Sequence, residues 1–300
     1  MLKNLINFMK GLAMGSADVV PGISGGTIAF ITGIYPQLIQ SISSISPELV
    51  IFFKKNGLKA TLQKINFKFL VFLFSGILVS IFSFAHVITY LLTHYPVVTW
   101  SFFMGLMIMS IVIMFQEINN IKKRLLLFSL LGFFVALILT SSSSIVITFT
   151  PLNTFFVAAV AICAMILPGI SGSLLLVLFG YYIPILNAIK SFELNTILIF
   201  AFGALFGLIS FSKILNFFLT KYKDSTFLFL IGLMIGTLIK LWPWQIENCS
   251  LYQFSILEFN QVLPNTYTLL TGQENYVYYS FFSFFCGIFI VYLLNSLKKT

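Results

Sequence analysis

The chain has 300 residues, 59% of them hydrophobic and 8% charged, with a mean hydropathy of +1.03. So few polar groups cannot cover a water-facing globule, which excludes a soluble domain and leaves a polytopic membrane protein. The net charge of +9 is spread over short loops beside apolar segments, so it speaks for membrane topology and contact with anionic membrane lipids, and against nucleic acid.

The first residues, MLKNLINFMKGLAMGSADVV, are basic and then apolar, but the apolar run is short and ends at Asp18 without a clear cleavage pattern, so the segment is expected to be retained. The stretch VVPGISGGTIAFITGIY, residues 19–35, follows. Beyond it the five lysines of the loop 54–68 read as a solvated amphipathic stretch on anionic lipid. A hydrocarbon slab roughly 30 Å thick needs about 20 apolar residues per crossing helix. Three segments approach or exceed that length in the first half, at 67–92, 97–115 and 125–147. The second half opens on LPGISGSLLLVLFGYY, residues 167–182, and has its own three apolar segments at 197–219, 227–242 and 278–297. Trp242 and Trp244, around Pro243, read as an outer interfacial belt, and 243–276 as an outer loop of open role.

Of the 17 Lys and Arg, 14 fall at the N-terminus, in 54–68, at 122–124, at Lys221 and Lys223, and in the tail. The opposite loops carry neither Lys nor Arg at 94–96, 141–153 and 245–276. By the positive-inside rule the six crossings alternate, with both termini cytoplasmic in a multi-pass cell-membrane protein. Lys190 and Lys240 are isolated exceptions.

The halves repeat. LLTHYPVVTWSFFMGLMIMS (91–110) aligns without a gap on FLTKYKDSTFLFLIGLMIGT (218–237), and the same register pairs Gly76 with Gly203 and His86 with Lys213. If each Pro-Gly segment enters and leaves on one side, each half has three crossings and the second half lies upside down relative to the first. A full crossing there would put the lysines of 54–68 outside, against the charge rule. The expected fold is therefore all-α, with two inverted repeats, 1–150 and 151–300. Each is a re-entrant broken-helix hairpin, about 11–45 and about 153–189, followed by three transmembrane helices.

Pro21-Gly22 and Pro168-Gly169 stop one half-helix and turn the chain. Ser24-Gly25-Gly26-Thr27 and Ser171-Gly172-Ser173 then begin the next, where unpaired amides and the helix dipole favour an anion. A plain kink with small residues packed closely is the competing reading. Lys213, two turns inside its helix, suits a phosphate or snorkels to the surface. His86 suits proton uptake or a packing role. Asp18 reads as a protonatable coupling acid or a sodium ligand, or else as a cap on the hairpin amides. Cys163, Cys249 and Cys286 imply no disulfide framework, and no spacing suggests a metal site or a cofactor.

MGSADVVPGISGGTIAFITGIY and MILPGISGSLLLVLFGYY resemble the two signature motifs of the PopT polyprenyl-phosphate transporters, formerly a domain of unknown function, and the likeness spans essentially the whole chain. The resemblance implies a flippase that returns undecaprenyl phosphate or a similar polyprenyl phosphate from the outer to the inner leaflet for cell-envelope synthesis. It places that role on Asp18, Pro21, Gly22, Ser24, Gly25, Gly26 and Thr27, and on Pro168, Gly169, Ser171, Gly172 and Ser173. Asp18 aligns with Met165 and Gly26 with Ser173, so the acid occurs once. Two other classes stay open: a carrier or channel for a small anion or sodium, and a membrane lipid phosphatase using Ser24 or Ser171. The last lacks a neighbouring His or acid and an intramembrane Arg.

Overall fold

The computed structural model describes residues 2–18, 24–118, 125–141, 147–246 and 261–299, without the side chains of residues 85, 86, 89, 141 and 297–299. The described chain is almost wholly helical; its one β feature is an isolated antiparallel bridge between Gln245 and Gln261. Among the described residues five helices are long and apolar enough to cross a membrane, or six if the bent pair of Gly172–Leu178 and Tyr182–Lys190 counts as one span.

The chain enters as α1 (Leu2–Asp18), resumes as the short α2 (Gly25–Ile31) and turns into α3 (Tyr35–Ser43). The turn needs a left-handed residue, which Gly33 supplies at φ 73°. The amide of Gly33 bonds back to Phe30 O and that of Ile34 to Ala29 O. The second half repeats this with α8 (Pro151–Ile166), α9 (Gly172–Leu178) and α10 (Tyr182–Lys190). There Gly180 has φ 71°, Tyr181 N bonds to Leu176 O, and α9 and α10 are bent by 105°. The ingoing arm α1 is longer than a start near Gly11 implies, because its 17 residues run helical from Leu2.

Between the hairpin and the first long helix the first half inserts α4 (Glu48–Lys64), mostly exposed and broken at Gly57 (φ 76°). The ammonium of Lys64 lies 4.1 Å from the ring centre of Phe52, so part of the lysine cluster is held over an aromatic face.

Then come α5 (Phe67–His94), α6 (Pro96–Gln116) and α7 (Leu126–Ser141) in the first half, and α11 (Leu194–Lys221), α12 (Lys223–Thr237) and α14 (Val277–Lys299) in the second. Each of the six expected apolar segments carries one of these helices. The two shortest are α12, with 15 residues, which a 3-10 turn at Leu238–Leu241 continues, and α7, with 16; residues 142–146 beyond α7 lie outside the described chain. The aligned stretches match in their backbone. Tyr95, between α5 and α6, has φ −134° and ψ 52°; Tyr222, between α11 and α12, has φ −132° and ψ 48°. In both, a threonine one turn on caps the junction: Thr99 Oγ1 donates to Tyr95 O (2.7 Å) and Thr226 Oγ1 to Tyr222 O (2.8 Å).

Packing repeats as well. α1 lies along α5 as α8 lies along α11, and α6 lies on α14 as α12 lies on α7. Glycine allows these approaches: a Cβ on Gly76 would strike Phe8 O, one on Gly203 Phe155 O, one on Gly105 Phe284 O, and one on Gly232 Ser129 O. Without a hydrophobic drive between helices in lipid, such backbone proximity supplies the packing energy. The most extensive contact without a comparable counterpart is that of α3. α3 packs along α11, whereas no comparable contact joins α10 to α5 among the described residues.

Trp242 and Trp244 are not a free belt. Their indole NH groups donate to the carbonyls of Val262 (2.9 Å) and Asn275 (2.8 Å), and Trp244 is buried with Val97 and Tyr267. An indole away from water needs an acceptor, and the backbone beside α13 (Pro264–Thr271) provides it. The described part of residues 243–276 is therefore a packed cap on the start of α6.

Candidate functional site

The site is assembled where the two hairpins break. Ser24 takes an extended conformation (φ −119°, ψ 139°) that ends the approach and starts α2. Its Oγ accepts from the amide of Gly26 (3.0 Å) and donates to the carbonyl of Met165 in the opposite hairpin (2.6 Å). Asp18, the last residue of α1, accepts from the amide of Gly25 (2.6 Å). Thr27 N bonds to Ser24 O. All three leading amides of α2 therefore have acceptors, one of them a carboxylate.

The second break is built differently. Leu167 turns extended at the end of α8, and Gly169 follows at φ 90°. Ser171 is extended too, but its hydroxyl pairs with that of Ser173 (2.7 Å) instead of capping, so α9 starts without a side-chain cap. Two substitutions account for the difference: Met165 stands where Asp18 would accept an amide, and Ser173, in place of Gly26, brings a hydroxyl that engages Ser171.

The two breaks are seated on each other. Gly169 N donates to Thr27 Oγ1 (3.2 Å), Ser24 reaches Met165, and a Cβ on Gly26 would run into Ile166 O. Ser24, Thr27 and Ser171 are buried, as are Gly25, Gly26 and Gly172. The structure thus brings together Asp18, Ser24, Gly25, Gly26 and Thr27 with Gly169, and Ser171, Gly172 and Ser173 follow directly on the same break. Pro168 lies in that turn. Pro21 and Gly22 lie outside the described residues, as does the side chain of His86. Lys213 is not brought to the breaks: it stands on an exposed face of α11, next to the buried Ser212.

Lys10, a topology-setting charge by its place in the sequence, also joins the first hairpin. It is half-buried, and its Nζ donates to Thr32 O (2.8 Å) at the C-terminal end of α2, where the helix dipole favours a cation. The pairing spans 22 residues through the hairpin. Its one visible signal was a lysine inside the approach to the motif.

Each hairpin also borders an apolar cavity. One, of about 660 Å³, lies between Ala13, Ala17 and Ile28 and helices α5, α6 and α14. The other, of about 550 Å³, lies between Leu167 and helices α7, α11 and α12.

Residues 14–258 match the family model described as undecaprenyl phosphate translocase-like. A polyprenyl-phosphate transporter of Vibrio cholerae is 46% identical over 276 residues, 90% of this chain and 89% of that protein. A polyprenyl-phosphate transporter of Staphylococcus aureus is 34% identical over 273 residues, 85% of this chain and 92% of that protein. No solved structure matches the chain. The family and these relatives are transporters, not enzymes. With the match covering most of its length and both broken hairpins, the chain belongs to the undecaprenyl phosphate translocase-like family of membrane transporters.

Proposed function

We propose that this protein is a flippase for undecaprenyl phosphate or a similar polyprenyl phosphate, returning it from the outer to the inner leaflet of the cell membrane for envelope synthesis, driven by a proton or sodium ion. The observation that carries the reading is the 46% identity to a polyprenyl-phosphate transporter across nine-tenths of the chain. The meeting of the two breaks supports it: irregular backbone at membrane depth is costly unless it serves a polar ligand, and here it is doubled and paired.

In this reading residues 1–150 and 151–300 are inverted repeats with both termini cytoplasmic, and the paired contacts of their helices support that arrangement. The head group binds between the tips. Ser171, Gly172 and Ser173, with Pro168 and Gly169, offer it the uncapped start of α9; Pro21, Gly22, Ser24, Gly25, Gly26 and Thr27 complete the site from the other side. Asp18 couples the ion. Its carboxylate holds the amide of Gly25, a place that a phosphate oxygen would take, and uptake of a proton or sodium ion loosens that hold. Ion binding and phosphate binding then favour each other, as coupled transport requires. Lys213 meets the phosphate on its way in, and His86, its repeat mate, serves proton uptake.

The deciding measurement counts carrier-lipid phosphate on the surface of cells with and without this protein, in a strain with no other such transporter. The expected result is accumulation on the outer surface when the protein is absent. Unchanged exposure rejects the proposal, and liposomes in which the purified protein moves ions without lipid phosphate point to an ion carrier instead.

A further inference from the structure

We infer that the two apolar cavities are paired docking clefts for the prenyl chain, one serving each leaflet, so that the tail changes cleft when the head group crosses. The inference rests on the transport reading above. Its starting point is that the cavities are the same place in the two halves. In the register that pairs Tyr95 with Tyr222, the lining residues Phe84, Ile88 and Phe102 of the first cavity correspond to Phe211, Leu215 and Phe229 of the second.

Three features identify the occupant. Both linings are almost wholly apolar, and both volumes, about 660 and 550 Å³, lie in the range of ligand sites. Each cavity ends at the breaks: Ala17 lines the first and is the neighbour of Asp18, while Leu167 lines the second and lies between Ile166 and Pro168. Each also reaches a helix junction, Tyr95 in one and Tyr222 in the other, and Tyr222 is flanked by Lys221 and Lys223, on the side that the basic loops assign to the cytoplasm. A ligand suited to both ends of such a path is an amphiphile with an anionic head at the breaks and a long hydrocarbon chain in the cleft. A free phosphate or a sodium ion has no use for the apolar part.

The clefts place the chain more than they bind it. Hydrocarbon gains little by leaving lipid for an equally apolar wall, so the affinity resides in the head group and the cleft sets where the tail lies while the head turns over. Both clefts are needed, because a tail held in one only leaves the lipid attached to its leaflet of origin.

The test uses the purified full chain in liposomes with a polyprenyl phosphate carrying a photoreactive diazirine at the far end of its chain. The expected adducts lie on both linings, at Phe102 and Phe229, several-fold above the outward-facing Phe285 and Phe289 of α14, and unlabelled polyprenyl phosphate removes them while inorganic phosphate does not. Filling either cleft, by Val98→Trp or its repeat mate Ser225→Trp, is expected to slow long-chain transport about tenfold, in line with the cost of overpacking a fitted site. Phe285→Trp and Phe289→Trp, on the outward face of α14, should transport normally. Adducts no denser in the clefts than at Phe285 and Phe289, or equal labelling by a diacyl lipid phosphate, overturn the inference while wild-type transport leaves the function standing. A wild-type protein that moves no polyprenyl phosphate overturns both. Should a tryptophan variant fail to fold, the labelling of the unaltered chain decides alone.

Discussion

Asp18 and Ser24 close the start of α2 from two directions, one with a carboxylate on Gly25 N and the other with a hydroxyl on Gly26 N. Asp18→Asn keeps an amide oxygen for Gly25 but cannot ionise. It is expected to abolish transport driven by an imposed ion gradient while leaving lipid binding mostly intact; undiminished gradient-driven transport would reject the coupling role. Asp18→Ala removes the acceptor as well and should lower stability by about 1 kcal/mol, the usual cost of a lost helix cap, readable as a lower melting temperature in detergent. Tyr35 makes the opposite case. It is fully buried and its hydroxyl has no hydrogen-bond partner among the described residues, so the group is desolvated without return. Tyr35→Phe is therefore expected to melt at the same temperature or higher, by a gain of up to about 1 kcal/mol; a clear loss would mean that the hydroxyl has a partner in another state.

At the scale of the helices, glycine placement decides which pairs approach closely. Gly105 and Gly232 hold matching positions on α6 and α12, and each faces a backbone carbonyl of the partner helix, Phe284 O on α14 and Ser129 O on α7. A carbonyl cannot move aside as a side chain can, so Gly105→Leu and Gly232→Leu should each destabilise by about 3 kcal/mol or more, by similar amounts, in thermal unfolding of the detergent-solubilised chain. A large effect at one position and none at the other would break the equivalence of the two interfaces. These positions also show what was legible beforehand. Gly76 with Gly203, the Tyr–Thr junctions and the helix starts after Ser24 and Ser171 could be read because local backbone geometry depends on a few residues close in sequence, and the two copies checked each other. The pairing of α6 with α14 and of α7 with α12 could not, because apolar helices share a composition and only the fold selects partners. The Lys10 contact with Thr32 and the hydrogen bonds of Trp242 and Trp244 were hidden for the same reason: each joins residues 20 or more apart through backbone carbonyls, which carry no mark of their own in a sequence. Nor did two similar motifs announce that one break is capped and the other not, since that turns on the exchanges of Asp18 for Met165 and Gly26 for Ser173.

For the whole molecule, the informative contact is the most extensive of the unmatched ones. Two halves with like sequences and like internal packing have no reason to differ, yet α3 lies along α11 while α10 has no comparable contact with α5 among the described residues. Under the proposed inverted-repeat reading, a molecule at rest in one access state is asymmetric in this way, and the other state is reached when the halves exchange their contacts. The capped first break and the uncapped second break follow the same division. Spin labels provide the test, after the native cysteines Cys163, Cys249 and Cys286 are replaced. One pair is placed at Gln40 on α3 and Leu198 on α11, the other at Leu186 on α10 and Leu78 on α5. Adding polyprenyl phosphate with the coupling ion should lengthen the first distance and shorten the second within the same sample, because each closure requires the other to open. Distances that stay fixed, or that change in the same sense, would mean that the α3 contact is a permanent feature of the fold and that access alternates elsewhere.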